Sequence, residues 1–143
     1  MPGTVEQKVV AYVRRADEIL VFVHVDDADP MWQSGLQVPA GSLLPGETPA
    51  DGALREATEE TGLTDLRVVW VLGADEVRWP GRRVQRRHFV QLATDDPRDA
   101  WEHLAPDEGG VARRFRCSWL PVEQAPLLAA AQGVFAAGMI DET

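Results

Sequence analysis

A well-bounded acidic helix is the sequence feature that most constrains the fold of this chain. Thr48 suits an N-cap, Pro49 suits the first helical position, and Gly62 is the residue type that most often follows a helix end. At about 100° per residue, the small and apolar side chains between these limits fall on one side of the helix. They are Ala50, Ala53, Leu54, Ala57 and Thr61. The pattern predicts a helix over residues 48–61 that packs this face on a sheet.

Runs of β-branched and aromatic residues on both sides of the helix predict the strands of that sheet. They are Lys8–Arg14, Ile19–Val25, Leu66–Val77, Val84–Thr94 and Phe115–Leu120. Polar residues between the first two runs predict a hairpin, and the corner Trp79–Gly81 joins the third run to the fourth. Residues 25–35 contain three Asp residues, Pro30 and Gly35, so a loop is predicted there. Residues 95–110 are also expected to form a loop.

The C-terminal part of the chain is rich in alanine and leucine. Val122–Met139 therefore predicts a closing helix, which Gly133 and Gly138 weaken. The length of 143 residues suits a single domain over residues 1–143. Strands mixed with helices predict a sheet with helices on its faces.

Three carboxylates form a band beside the apolar face of the predicted helix. Glu56, Glu59 and Glu60 lie on adjacent turns, where like charges at i,i+4 cost a few tenths of a kcal/mol even when exposed. A solvated helix face is the ordinary explanation of adjacent glutamates. The crowding beside a buried face favours a second explanation, a hard divalent cation such as Mg²⁺, which takes oxygen ligands. Arg55 can pair with Glu59 across one turn.

The overall charge restricts the partners of the chain. The formal net charge is −9 and the isoelectric point is about 4.7, which argues against non-specific binding to nucleic acid or to an anionic membrane. An anionic substrate therefore needs local positive charge, from a metal or from clustered arginines. The single cysteine, Cys117, excludes an internal disulfide. No secretory signal and no membrane-spanning apolar run is visible, so a soluble cytoplasmic protein is expected.

The segment 41–63 resembles the Nudix box, the signature of the Nudix hydrolase family. The family pattern is G-x5-E-x7-R-E-U-x-E-E-x-G-U, where U is an aliphatic residue. Its seven fixed positions are filled here by Gly41, Glu47, Arg55, Glu56, Glu59, Glu60 and Gly62. The resemblance implies a Nudix α/β/α sandwich with a mixed β-sheet. It also implies a loop–helix–loop that holds Mg²⁺ or Mn²⁺.

The resemblance assigns roles to residues of the box. The implied metal ligands are Glu56, Glu60, Glu59, the backbone carbonyl of Ala40 and, through water, Glu47. Glu59 is implied either as a ligand or as the group that orients the attacking water. Arg55 is implied to hold Glu59 in place.

Residues outside the box complete the expected site. Several family members take the general base from a later loop, and Glu108 is the first candidate here, with Glu102 second. Five arginines lie within residues 78–87, of which Arg86 and Arg82 are expected to bind substrate phosphates. Trp79, in the predicted corner, is expected to stack on a nucleobase. A solubilising exposed hairpin explains the same arginines equally well.

The resemblance implies hydrolysis of the pyrophosphate bond of a nucleoside diphosphate linked to another moiety. Pro80, seventeen residues after Leu63, and the approach Val38–Gly41 favour an ADP-ribose-like substrate. The tyrosine expected of diadenosine-polyphosphate enzymes is absent, since Tyr12 is the only tyrosine. The alternatives are a MutT-type (deoxy)nucleoside triphosphate pyrophosphohydrolase, a non-catalytic nucleotide sensor, and action on the 5′ end of RNA. The expected partner is a small nucleotide rather than nucleic acid or membrane, and a homodimer is left open.

Overall fold

The computed structural model describes residues 4–25, 35–106 and 112–141. Seven strands and one α-helix make up its regular structure. They are β1 (Glu6–Arg15), β2 (Glu18–His24), β3 (Ala40–Ser42), α1 (Pro49–Thr61), β4 (Arg67–Arg78), β5 (Val84–Ala93), β6 (Trp101–Ala105) and β7 (Arg113–Pro121). Three short 3-10 segments follow, at Val122–Leu127, Ala129–Ala131 and Ala136–Gly138. No helix in the described part of the chain is long and apolar enough to cross a membrane.

The strands form one mixed sheet that divides near its middle. The order is β4-β5-β1-β2-β7-β6, with β1 and β5 parallel and the other neighbours antiparallel. The strands β1 and β2 pair only next to their hairpin, at Arg14↔Ile19 and Arg15↔Glu18. Beyond that point β3 pairs with β1, and Gln37 bridges to Phe22 of β2. Residues 37–42 therefore occupy the gap between the two halves of the sheet.

Each face of the sheet carries its own hydrophobic core. Helix α1 covers one face, where Ala53 and Ala57 pack among buried side chains that include Val9, Leu20 and Leu92. The 3-10 segments cover the other face, over a second cluster that includes Tyr12, Ile19 and Phe89. Layers on both sides of a mixed sheet confirm the predicted sandwich.

The prediction for helix α1 is confirmed at both ends. The Thr48 hydroxyl accepts a hydrogen bond from the backbone N–H of Asp51 at 3.2 Å, and Pro49 begins the helix. Gly62 adopts φ 76°, a left-handed conformation in which its N–H donates to the carbonyl of Thr58. These caps fix the register of the helix and hence the direction of its acidic side chains.

The predicted closing helix over Val122–Met139 is wrong. The segment forms three 3-10 turns instead, since Pro126 interrupts it and Ala130 and Ala131 adopt φ of 55° and 53°. Tertiary hydrogen bonds hold this irregular path, because the Arg87 guanidinium donates to the carbonyls of Ala130 and Ala131 at 2.7 and 3.2 Å. Helix propensity is overridden here by partners that are distant in sequence.

Two strands were not predicted. The segment 95–110, predicted as a loop, contains β6, and β3 spans only three residues of the approach to the acidic segment. The part of the predicted loop 25–35 that covers residues 26–34 lies outside the described residues.

Candidate active site

A cleft lies where the two halves of the sheet separate, and the acidic side of helix α1 forms one wall. The opposite walls come from β1, β3, β7 and the end of β6. The cleft is lined by Lys8, Ala40, Gly41, Ser42, Arg55, Glu56, Glu59, Glu60, Ala105, Pro106, Arg113 and Phe115. Three carboxylates thus face one open space that also holds three cationic side chains.

The guanidinium of Arg55 organises the acidic wall. Its Nε and Nη2 donate to the two carboxylate oxygens of Glu47, each at 2.9 Å, and Nη1 donates to Glu56 at 2.8 Å. Nη2 also donates to the backbone carbonyl of Ser42 at 2.9 Å. The contact with Glu59, at 3.5 Å, is the longest of the set. Arg55 therefore contacts Glu59 as expected, but it holds Glu47 and Glu56 more closely.

The pKa values at Arg55 and Glu47 shift in the directions that this pairing requires. Hydrogen bonding to Arg55 lowers the pKa of Glu47 from 4.5 to about 2, because the charged carboxylate is the form that accepts both bonds. The same bonds raise the pKa of Arg55 above its usual value. Both groups stay ionised at neutral pH.

The pKa of Glu60 is raised, whereas that of Glu47 is lowered. Desolvation of its carboxyl group raises its pKa well above 4.5, and the neighbouring Glu56 raises it further. The Glu60 carboxyl accepts a hydrogen bond from the backbone N–H of Ala40 at 3.2 Å, which ties the helix to β3. A nearby positive charge would oppose both effects and favour the ionised form of Glu60.

Gly41 allows β3 to approach the acidic helix closely. A Cβ atom at this position would overlap the carboxylate of Glu56. Since any larger residue would displace Glu56, the glycine keeps the backbone of residues 40–42 against the carboxylates.

The donor set fits a hard divalent cation such as Mg²⁺ or Mn²⁺. Glu56, Glu59 and Glu60 supply carboxylate oxygens, which these ions prefer, and Ala40 places its backbone beside them. Within the described residues no three acidic, histidine or cysteine side chains already converge as a formed ligand set. Arg55 holds Glu56 and Glu59 instead, while desolvation and the neighbouring Glu56 raise the pKa of Glu60.

The other expected ligand, Glu47, lies on the far side of Arg55. Both of its carboxylate oxygens are bonded to that guanidinium, and one also accepts from the backbone N–H of Leu44 at 3.0 Å. Glu47 is not among the described residues that line the cleft. Its water-mediated contact with a metal stays a prediction.

The structure does not bring the expected substrate-binding residues to this cleft. Arg86 is paired with Glu76, with Nε 3.0 Å from the carboxylate, and the indole of Trp79 donates to Gln85 at 3.3 Å. Arg82 is exposed in the turn between β4 and β5. None of the three is among the described residues that line the cleft, so their role in binding stays a prediction.

The structure describes only one of the two candidate general bases. Glu108 lies outside the described residues. Glu102 lies on β6, where its carboxylate is 3.3 Å from Arg116 and 4.0 Å from Arg114. Glu102 is also not among the described lining residues of the cleft.

Sequence reasoning missed the walls opposite the helix. This part of the cleft is lined by Lys8, Arg113 and Phe115. They come together because β3 pairs with β1, and β7 with β2, between parts of the chain that are distant in sequence. Lys8 lies 34 residues from its hydrogen-bond partner Ser42. The one signal available in the sequence is that Lys8 is the only lysine in the chain.

The comparison with protein families decides where this chain belongs. The NUDIX domain family matches residues 5–141, nearly the whole chain. The chain belongs to the Nudix hydrolase family. The acidic wall of the cleft is therefore its Nudix box, carried by helix α1 and the preceding loop.

Known relatives agree with this assignment. An RNA pyrophosphohydrolase of Cereibacter sphaeroides (strain ATCC 17029 / ATH 2.4.9) is 33% identical over 78 residues, which cover 52% of this chain and 46% of the relative. The chain thus spans about half the length of that curated relative.

Solved structures share the fold. A MutT NUDIX hydrolase from Burkholderia pseudomallei gives a TM-score of 0.67 at 15% identity, covering 96% of this chain and 99% of that one. A C. elegans Ap4A hydrolase in a binary complex gives 0.63 at 19% identity, covering 94% of each chain. At these identities the likeness establishes the Nudix fold.

Proposed function

We propose that this chain is a metal-dependent hydrolase that cleaves the pyrophosphate bond of a nucleoside diphosphate linked to another moiety. The observation that carries the proposal is the Glu56–Glu60 pair. These two carboxyl groups lie against each other beside an open cleft, with Glu60 desolvated and its pKa raised. When both groups are ionised such a pair is repulsive, and a divalent cation bound there would provide a binding site for phosphate oxygens.

Each residue of such a site would have its own role in hydrolysis. Glu56 and Glu60 would hold the cation, which neutralises phosphoryl oxygens and lowers the pKa of bound water. Glu59, whose side chain is 47% exposed, faces the cleft and would orient the attacking water. Arg55 donates a hydrogen bond to Glu56, so this carboxylate is already in position before the substrate binds.

Two classes of substrate have specific support. A nucleoside diphosphate derivative such as ADP-ribose is favoured by Pro80 and by the segment Val38–Gly41, as the family resemblance implies. The 5′-triphosphate end of RNA is favoured by the relative named as an RNA pyrophosphohydrolase. A (deoxy)nucleoside triphosphate stays an alternative, which the family resemblance allows. A non-catalytic sensor is disfavoured because Glu56, Glu59 and Glu60 are all retained. A cytoplasmic location and a homodimer are further proposals, and both are independent of which substrate is hydrolysed.

Hydrolysis across a substrate panel tests the proposal. The panel holds ADP-ribose, nucleotide sugars, diadenosine polyphosphates, nucleoside triphosphates and a 5′-triphosphorylated RNA oligonucleotide, each with Mg²⁺ or Mn²⁺. We expect one class to be hydrolysed, and Glu60→Gln to lower kcat/KM by at least about a hundredfold, since even indirect supports of a metal ligand cost 10–100-fold. Glu123→Gln removes one charge from an exposed site in the first 3-10 segment and serves as the control.

The possible outcomes separate the alternatives. If Glu60→Gln retains wild-type turnover, the metal-binding assignment is wrong. Negligible turnover of the whole panel by the wild type, with metal-dependent binding of one nucleotide, would favour the sensor.

A further inference from the structure

Lys8 is the only lysine in the chain, and it lies in the wall of the catalytic cleft. The other thirteen of the 14 basic residues are arginines. Lysine differs from arginine because its ammonium group is a compact point charge with three donors that can rotate freely. Its position opposite the acidic helix therefore raises the question of what this one ammonium group contacts during the reaction.

The pairing of β1 with β3 places Lys8 beside the Nudix box. Lys8 stands directly opposite Ser42 in the register, and its Nζ donates to the Ser42 hydroxyl at 2.8 Å. The carboxylate of Glu6 is 3.6 Å away, and the Lys8 side chain is 26% exposed. The ammonium group is thus anchored at the cleft while part of it still faces solvent.

Ser42 connects Lys8 to the acidic wall. Its hydroxyl accepts from Lys8, and its backbone carbonyl accepts from Nη2 of Arg55 at 2.9 Å. The two cations are therefore held at a fixed separation by one residue of β3. This arrangement orients Lys8 relative to the carboxylates that Arg55 holds.

Arg55 is not available to bind a substrate. Its three nitrogens already donate to Glu47, Glu56 and Ser42. A cation held by the glutamates would neutralise phosphate oxygens on the helix side of the cleft. Phosphate oxygens beyond the reach of that cation need other positive groups, and Lys8 of β1 is one that lines the cleft, as does Arg113 of β7.

We propose that Lys8 is a substrate-binding residue that donates to pyrophosphate oxygens in the cleft, next to β3, with Ser42 as its positioning partner. This inference rests on the proposed hydrolase function of the same cleft. It adds to the expected arginines of the β4–β5 hairpin a residue that lines the cleft itself.

Steady-state kinetics with the substrate found in the panel provide the first test. Lys8→Met removes the charge but keeps the length of the side chain, and we expect KM to rise about ten- to a hundredfold, the range of a lost charged hydrogen bond. Lys8→Arg should recover part of this loss. Arg116→Met removes a positive charge from an exposed β7 side chain that pairs with Glu102, and it should leave KM unchanged.

The uniqueness of Lys8 permits a second test by NMR spectroscopy. Reductive methylation with ¹³C-formaldehyde labels the Lys8 amine and the chain's α-amino group, and the Lys8 resonance is the one missing from Lys8→Arg. We expect inorganic pyrophosphate to shift this resonance when Mg²⁺ is present, and the shift to be lost in Glu60→Gln. This readout does not depend on turnover.

The two tests distinguish failure of this inference from failure of the proposed function. If the wild type hydrolyses a substrate, but Lys8→Met keeps its KM and the methyl resonance does not move, Lys8 does not bind the pyrophosphate and only this inference fails. If the wild type hydrolyses nothing in the panel, the proposed function is wrong, and the proposed role of Lys8 is wrong as well.

Discussion

At the scale of single residues, Arg55 determines how the acidic wall is arranged. One planar guanidinium bonds both oxygens of Glu47, one oxygen of Glu56 and the carbonyl of Ser42. A lysine has no fork of fixed donors and cannot make these bonds together. The arginine of the box is therefore a structural requirement of this wall, whatever its role in the reaction.

Arg55→Lys should consequently be a damaging substitution although it conserves charge. We expect the free energy of unfolding to fall by about 1–3 kcal/mol, because Glu47 and Ser42 lose hydrogen bonds in a partly buried setting. Urea unfolding at neutral pH measures the change. Arg116→Lys, at an exposed ion pair on β7, is the matched control and should change stability by less than about 0.5 kcal/mol. Equal effects of the two substitutions would contradict the central role of Arg55.

The lowered pKa of Glu47 gives this pair a recognisable pH dependence. A carboxylate with a folded-state pKa of about 2, against 4.5 when unperturbed, stabilises the fold above pH 4.5 and loses that contribution as the pH falls towards 2. We expect Arg55→Lys to lose less stability than the wild type over this interval. Unfolding free energies measured in urea at several pH values between these limits test the sign. Parallel curves for the two proteins would mean that Arg55 does not set the pKa of Glu47.

At the scale of elements, β6 holds the end of the helix that carries the carboxylates. The last carbonyls of a helix lack partners within it. Here the Trp101 indole donates to the carbonyl of Thr61 at 2.8 Å, and Nε2 of His103 donates to the carbonyl of Glu59 at 2.9 Å. A Cβ at Gly62 would lie 2.7 Å from Nδ1 of His103. The glycine is thus required both by its left-handed backbone and by the histidine ring.

A double-mutant cycle separates these two requirements. We expect Gly62→Ala to cost about 2–3 kcal/mol in the wild type, of which about 1 kcal/mol is left-handed strain and the rest is displacement of His103. In a His103→Ala background the cost should fall to about 1 kcal/mol, since only the strain persists. Urea unfolding of the four proteins gives the coupling. Identical costs in both backgrounds would show that the ring does not constrain Gly62.

The same elements show how far the sequence could predict this fold. Helix α1 was predictable to the residue because its signals, Thr48, Pro49 and Gly62, act within the helix itself. The segment after β7 has the composition of a helix, yet bonds from Arg87 and Tyr12 fix its carbonyls in another path. Strand β6 gave no such local signal, because its Leu104 is exposed and its inward residues are Trp101, His103 and the small Ala105.

At the scale of the whole molecule, the site follows from the division of the sheet. The acidic wall is local in sequence, so the pattern of the Nudix box predicted it. The opposite wall depends on pairings between residues far apart, such as Lys8 with Ser42, and on the adjacency of β7 to β2. Spacing within one segment cannot predict contacts of this kind. The sequence predicted that Arg82 and Arg86 of the β4–β5 hairpin bind substrate phosphates. The structure pairs Arg86 with Glu76, and the binding role stays a prediction.

The charge balance of this cleft couples the stability of the whole molecule to pH and to metal. Without metal, Glu60 has a pKa raised above 4.5 by desolvation and by Glu56, so the folded state binds its proton more tightly than the unfolded state does. Its contribution to stability is present below pH 4.5 and is lost as the pH rises through the raised pKa. Glu47 acts in the other direction, but only below pH 4.5. The two effects therefore occupy separate pH intervals.

Thermal unfolding of the metal-free protein, followed from pH 4.5 up to pH 8, should consequently show a midpoint that falls as the pH rises. Mg²⁺ at a hundred times its Kd should restore about 2.7 kcal/mol at the upper pH, or about 5–10 °C in Tm, and much less at the lower pH, where protons compete for Glu60. In Glu60→Gln a neutral amide replaces the titrating group, so both the pH dependence and the Mg²⁺ effect should shrink while metal-free stability at pH 8 rises. Glu123→Gln should behave as the wild type. If Mg²⁺ raises the Tm of Glu60→Gln as much as that of the wild type, the metal binds elsewhere. This cleft would then not couple the stability of the protein to metal binding.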